Sequence, residues 1–228
     1  MGTGPGFRAM TDQGPRTAGQ WVPRGTGIEG LRAAATVCRG CELHEDATQT
    51  VFSAGSAAAR VAFVGEQPGD QEDRLGEPFV GPAGRLLDKA LVDAGIDRMD
   101  AYVTNAVKHF RFTQEGPGKR RIHATPGANH IDACKPWLVA ELAIVDPEVV
   151  VCLGATAARA LLGPSFRVSK QRGTLVPRLV RDPAESAAVQ NGWLTATIHP
   201  SAVLRATDRD AAYEGLVADL RIVAELLQ

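Results

Sequence analysis

Arg60-Val61-Ala62-Phe63-Val64-Gly65-Glu66-Gln67-Pro68-Gly69-Asp70 runs from a continuous apolar stretch into a polar loop punctuated by glycine and proline. An apolar run closed by glycine reads as a buried strand, with the polar residues gathered past its carboxyl end. The pattern recurs in Ala101-Tyr102-Val103-Thr104-Asn105-Ala106-Val107 and Val149-Val150-Val151-Cys152-Leu153-Gly154. A further run, Trp193 to Ile198, precedes His199-Pro200-Ser201. Between the runs, Leu86, Leu87, Ala90, Leu91 and Ala94 mark one helical face, and Ile131, Cys134, Leu138, Leu142 and Val145 mark another. A last stripe comprises Tyr213, Leu216, Val217, Leu220, Val223, Ala224 and Leu227. Strands alternating with helices predict a parallel α/β sheet, whose right-handed crossovers cover both faces. Ligands of such sheets collect at the carboxyl ends of the strands, which is where Glu66, Gln67, Asp70, Asn105 and His199 fall.

The chain has 228 residues, 44% of them hydrophobic, enough for one domain with a full core. Residues 1–26 hold repeated glycines and prolines with almost no apolar period, and are expected to be a disordered leader or a cloning remnant. Residues 27–228 form the expected single domain. Neither a bilayer-length apolar run of ~20 residues nor a signal segment occurs, so a soluble cytoplasmic protein without a membrane partner is expected. With 25 basic and 26 acidic residues the net charge is −1, so nucleic-acid binding would have to come from local basic loops.

One such loop is Lys119-Arg120-Arg121-Ile122-His123, set between Gly116-Pro117-Gly118 and Pro126-Gly127. Three adjacent cations repel one another unless an anion gathers them, so the loop reads either as a phosphate-facing element presenting one imidazole or as solvated surface. Glu66 and Asp70 supply carboxylates able to position water, stabilise a developing cation or polarise an imidazole, while the Asn105 amide can both donate to and accept from a flat polar heterocycle. Each has a plainer reading: Gly-x-x-Pro-Gly as a turn and a strand asparagine as a structural hydrogen-bonder. Gly76-Glu77-Pro78-Phe79-Val80-Gly81-Pro82-Ala83-Gly84 leads into a helix whose amides could meet a phosphate. It lacks the Gly-Lys-Ser/Thr of a P-loop and the Gly-x-Gly-x-x-Gly of a dinucleotide site. Phe79 within it is either a stacking platform for a base or a hydrophobic plug.

Cys38-x-x-Cys41 is followed by Cys134 and Cys152. No strand leads into the motif, which argues against a thioredoxin-like pair, and the cytosolic character argues against disulfides. A metal or an iron-sulfur cluster is preferred, with the four cysteines as one ligand set. Cys152 also fits as an ordinary buried thiol, in which case His109 is available as the fourth ligand.

Together these motifs resemble the uracil-DNA glycosylase superfamily, specifically the iron-sulfur family 4 and its covalent UdgX-type relatives. The resemblance runs from about Cys38 onward and rests on Gly65-Glu66-Gln67-Pro68-Gly69, Pro78-Phe79-Val80-Gly81, Thr104-Asn105-Ala106-Val107-Lys108, the Lys119 to His123 loop and His199-Pro200-Ser201. It implies a three-layer α/β/α sandwich around a four-stranded parallel sheet, with uracil flipped from DNA into a pocket at the strand ends. Phe79, Asn105, Gln67 and His199 would contact uracil, and His123, Glu66, Gln67, Asp70, Arg121 and His199 would carry the chemistry. Lys119, Arg120, Gly84 and Ser201 would contact DNA. His109 stands where ordinary family 4 members have a cysteine ligand, so the implied [4Fe-4S] set is Cys38, Cys41, His109 and Cys134, with Cys152 as the alternative to His109. Gln67 and the basic loop match the UdgX type, which implies attack by His123 on the sugar C1′ and a lasting protein–DNA bond. The expected partners are uracil-containing DNA, single strands accepted, and free uracil as product, with the protein a monomer. The competing readings are an ordinary turnover glycosylase and a cluster-stabilised nucleic-acid-binding domain without chemistry.

Overall fold

The computed structural model describes residues 17–181 and 188–228. Its strands are β1 (Ser53–Ala54), β2 (Val61–Gly65), β3 (Ala101–Asn105), β4 (Phe112–Thr113), β5 (Ile122–His123), β6 (Val149–Leu153), β7 (Val176–Arg181) and β8 (Ala188–Thr197). Its α-helices are α1 (Ile28–Ala35), α2 (Leu43–Asp46), α3 (Asp70–Leu75), α4 (Pro82–Ala94), α5 (Ala128–Val145), α6 (Ala155–Leu162), α7 (Val168–Gln171), α8 (Pro200–Arg205) and α9 (Arg209–Leu226).

The main sheet runs β1-β3-β2-β6-β8-β7. Its four central strands, β3, β2, β6 and β8, are mutually parallel and are the ones the apolar runs announce. The edges β1 and β7 pair antiparallel and were not anticipated. β1 has only two residues, too few to show a period.

Side-chain alternation along the strands feeds two cores. Ala62, Val64, Tyr102, Val150, Cys152 and Ala196 face a layer with buried residues from α1, α5 and α6. Val61, Phe63, Val103, Val149, Val151 and Leu153 face the layer of α4, α8 and α9. Strands this apolar on both faces require helices on both faces, which yields the α/β/α sandwich. β2 lies between β3 on one side and β6 on the other, so successive crossovers leave it in opposite directions. A crevice opens at the carboxyl ends there, as in other doubly wound sheets.

Part of the segment expected to be a disordered leader is packed into the domain. Residues 1–16 lie outside the described residues, but Ala18 is already buried in the first core, with Trp21 and Val22 packed against it. The tight approach of Gly40 to the Thr17–Ala18 backbone also anchors this segment, since a Cβ on Gly40 would lie 2.7 Å from Ala18 N. Among the described residues no helix is long and apolar enough to cross a membrane.

Candidate active site

The carboxyl-end crevice is a cleft of about 800 Å³. Glu66 and Gln67 enter it from the turn after β2, Asn105 from the end of β3, His123 from β5 and His199 from the turn after β8. Four segments far apart in sequence thus meet at one place.

The floor is set by a missing side chain. A Cβ on Gly65 would lie 2.3 Å from Asn105 Oδ1 and 2.7 Å from the Phe79 ring. Asn105 is 2% exposed, and its side chain forms no hydrogen bond with the described residues, so its amide edge is available to a ligand. Phe79 takes a left-handed backbone, φ 60°, a conformation that costs on the order of 1–3 kcal/mol for a non-glycine residue. The strain aims its ring over Gly65, roughly parallel to the His199 ring with centroids 6.3 Å apart.

Two devices hold Phe79. Glu72 accepts from Gly69 N at 3.1 Å and Gly81 N at 2.8 Å, tying the glycine-rich loop to the turn after β2. Gly84 lies so close beneath Phe79 that a Cβ there would fall 1.5 Å from its carbonyl oxygen. Gly84, offered by the sequence as a DNA contact, is buried and lets α4 approach the Phe79 backbone. Glu72 was missed, although a glutamate three residues past a helix-opening glycine is a recognisable capping signal.

On the opposite wall His199 caps α8. Its Nδ1 accepts from Ser201 N at 3.1 Å and pairs with Ser201 Oγ at 2.8 Å. An acceptor Nδ1 puts the ring proton of the neutral form on Nε2, the nitrogen Ser201 leaves free. Burial, reinforced by Arg205 and His123, pushes the ring pKa down to about 4. His199 is thus a neutral donor at physiological pH. Ser201 lines the cleft while orienting this ring.

His123 stands at the mouth, about half exposed, with Nε2 3.3 Å from Glu66 Oε1. The second Glu66 oxygen accepts from Thr156 Oγ1 on α6, a partner the sequence did not disclose. The loop expected around the basic run is a β4–β5 hairpin, in which His123 pairs with Phe112. Gln67 clamps it: Nε2 donates to Arg111 O at 3.0 Å and Ala124 O at 3.2 Å, and Oε1 accepts from Arg111 N at 3.0 Å. The Gln67 side chain thereby positions the hairpin while the residue lines the cleft.

Arg121 is likewise drawn inward. Its guanidinium meets Asp70 Oδ1 and Asp73 Oδ2, each at 2.6 Å, and lies over the Phe110 and Phe112 rings. Burial pushes the Asp70 carboxyl up, but pairing with Arg121 and Arg74 outweighs this and holds it below the usual range. Of the three adjacent cations, Lys119 and Arg120 remain exposed at the hairpin tip.

On the α5 side of the sheet, Cys38, Cys41 and Cys134 are electrostatic neighbours. Burial, with added repulsion from the other two thiols, drives the Cys134 pKa up to about 12. Burial raises Cys41 as well, against an opposing backbone hydrogen bond, with repulsion from Cys38 adding to the rise. Trp137 Nε1 donates to Cys38 Sγ, and Lys108 N to Cys134 Sγ, both at 3.3 Å. Lys108 itself pairs with buried Glu141. His109 is buried, its Nε2 2.9 Å from Thr50 Oγ1, and that hydroxyl donates its proton to Ala35 O. Nε2 must then carry the His109 proton, leaving Nδ1 with a lone pair. Cys152, inside β6, is raised to about 12 by burial alone and has no such neighbours.

Among the described residues no three metal-ligating side chains converge closely enough for a single ion. A cubane cluster is ligated at separate corners and needs a wider set. Three neighbouring thiols, two of them accepting N–H···S hydrogen bonds, fit that requirement better than a mononuclear site.

The His199 assignment is checked by NMR titration of its ring. Because the folded-state pKa lies below the unfolded one, stability is intact above about 6.5 and falls as pH drops toward about 4. The expected result is a neutral, Nε2-protonated ring down to about pH 5, whereas titration near 6.5 contradicts it.

Residues 52–221 match the family described as the uracil DNA glycosylase superfamily. A type-4 uracil-DNA glycosylase from Thermotoga maritima is 37% identical over 169 residues, 74% of this chain and 78% of that protein. Another from Archaeoglobus fulgidus is 34% identical over 194 residues, 83% and 87% of the two chains. A third, from Pyrobaculum aerophilum, is 34% identical over 168 residues, 74% and 80%. With its parallel sheet and carboxyl-end cleft, the chain belongs to the uracil-DNA glycosylase superfamily.

Proposed function

We propose that the protein is a uracil-DNA glycosylase that excises uracil from a flipped-out nucleotide and then bonds to the sugar through His123. The observation that carries the reading is the His123–Glu66 pair at the cleft mouth, Nε2 to Oε1 3.3 Å, on a hairpin that Gln67 clamps to the turn after β2. The glycosylase part also draws support from the type-4 relatives.

A flipped uracil would lie against the Phe79 ring, with its polar edge on the Asn105 amide and O2 toward His199. Breaking the C1′–N1 bond sends its electron pair to uracil N1 and leaves positive charge on the sugar. The His199 Nε2–H stabilises the departing anion without having to give up a full proton, and the Glu66 carboxylate stabilises the cation. The His123 Nε2–H faces the Glu66 carboxylate, which takes this proton as the freed Nε2 pair bonds to C1′. Glu66 then returns the proton to neutralise the released uracil anion, and an alkylated neutral imidazole remains. Such an imidazole is a poor leaving group, so turnover stops. If water reaches C1′ first the same site releases an ordinary abasic product. The partial exposure of His123 is the feature that favours this second reading.

The decisive experiment mixes the protein with uracil-containing single-stranded DNA on a denaturing gel. The wild type is expected to give free uracil and an SDS-resistant adduct, and His123→Ala to lose the adduct while retaining uracil release through water. Undiminished adduct in His123→Ala overturns the covalent step, and no uracil release by the wild type overturns the glycosylase.

Cys38, Cys41, Cys134 and His109 are proposed to hold a [4Fe-4S] cluster with a structural role, fixing the segment after β3 against α5. Purified protein should then contain iron and acid-labile sulfide in equal amounts, with the iron lost in Cys134→Ala and kept in Cys152→Ala. A colourless protein with stoichiometric zinc contradicts this assignment.

A further inference from the structure

The hairpin tip supplies cations to only one rim of the cleft. The opposite rim is built by α7, whose Val168 and Ser169 line the cavity, and by α8, which ends in Arg205. Arg205 is exposed yet lines the cavity, and Lys170 follows Ser169 directly. Neither makes an ion pair with the described residues, in contrast to Arg121, which two aspartates hold inward.

We infer that Arg205 and Lys170 form a second phosphate-binding rim, so that the DNA backbone straddles the cleft between them and Lys119–Arg120. A nucleotide turned into a cleft leaves its two flanking phosphates at the mouth, one on either side, and a one-sided grip would leave one of them unneutralised. The charge of Arg205 already reaches into the cavity, where it disfavours protonation of His199.

The segment bearing this rim is latched to the sheet. Arg172 Nε donates to Asp219 Oδ2 at 2.6 Å, and Thr197 Oγ1, at the end of β8, donates to the same oxygen at 2.5 Å. Gly173 N donates to Ala196 O at 2.9 Å. Gly173 sits at φ +70° with a Cβ position 2.8 Å from Asp219 Oδ1, so the latch needs glycine there. The same strand end continues into His199, which fixes α7 relative to the catalytic wall. A cation delivered on a pre-ordered segment loses less freedom on binding than one on a mobile loop.

This inference rests on the uracil-DNA reading, and the test separates the two. Binding of a labelled single-stranded oligonucleotide bearing one 2′-fluoro-2′-deoxyuridine, which resists base loss, is measured by anisotropy across a sodium chloride series. The Arg205→Ala and Lys170→Ala variants are each expected to bind more weakly and to lower the slope of log K against log salt by about 0.7, the value for one single-strand phosphate contact. Arg205→Lys should keep the wild-type slope. Wild-type slopes in both alanine variants, or weakened binding with an unchanged slope, overturn the rim. Failure of the wild type to prefer the uracil-bearing strand over its thymine counterpart instead counts against the glycosylase reading, while the slopes still report on the rim.

Discussion

A Cβ atom on Gly65 would collide with both Asn105 Oδ1 and the Phe79 ring, and this exclusion shapes the cleft from its floor upward. Because nothing projects from the end of β2, an aromatic ring and an amide approach the same backbone from two sides and form a slot for a flat heterocycle. The surrounding structure then holds that approach. Glu72 ties two loop amides together, Gly84 admits the Phe79 carbonyl, and Ala106 N and Val107 N donate to Gly65 O and Glu66 O at 2.9 and 3.0 Å. The strained Phe79 backbone persists because these neighbours over-determine it.

Charge in the cleft is arranged by the same economy of contacts. His199 is kept neutral by burial and given a fixed tautomer by Ser201, so it presents an Nε2–H donor to the cleft. Glu66 presents a carboxylate where positive charge would form, steadied from behind by Thr156. Arg121, adjacent in sequence to the hairpin-tip cations, is drawn away from solvent by Asp70 and Asp73 and serves to position β5. The His123 imidazole is thus carried by an ion-paired, amide-clamped hairpin that faces the cleft.

Much of this was legible in the sequence because buried parallel strands leave unbroken apolar runs, and ligands gather past their carboxyl ends. Those two facts bring Glu66, Asn105 and His199 together before any coordinates. What remained hidden depends on tertiary pairing. No motif shows that the Gln67 side chain reaches the backbone of a hairpin about forty residues away, or that Gly84 makes room for a carbonyl on the preceding loop. Thr156 and Arg205 lie in ordinary helices, and only the closing of the sheet brings them to the cleft. The two-residue strands β1, β4 and β5 are too short for any period to show.

Bonding of His123 to the sugar is tested most directly by mass spectrometry of the trypsin-digested protein after reaction with uracil-containing DNA. The peptide beginning Ile122-His123 should carry the added deoxyribose, with fragmentation placing it on His123. An unmodified His123 peptide in protein that has released uracil, or a deoxyribose on any other residue, would contradict it.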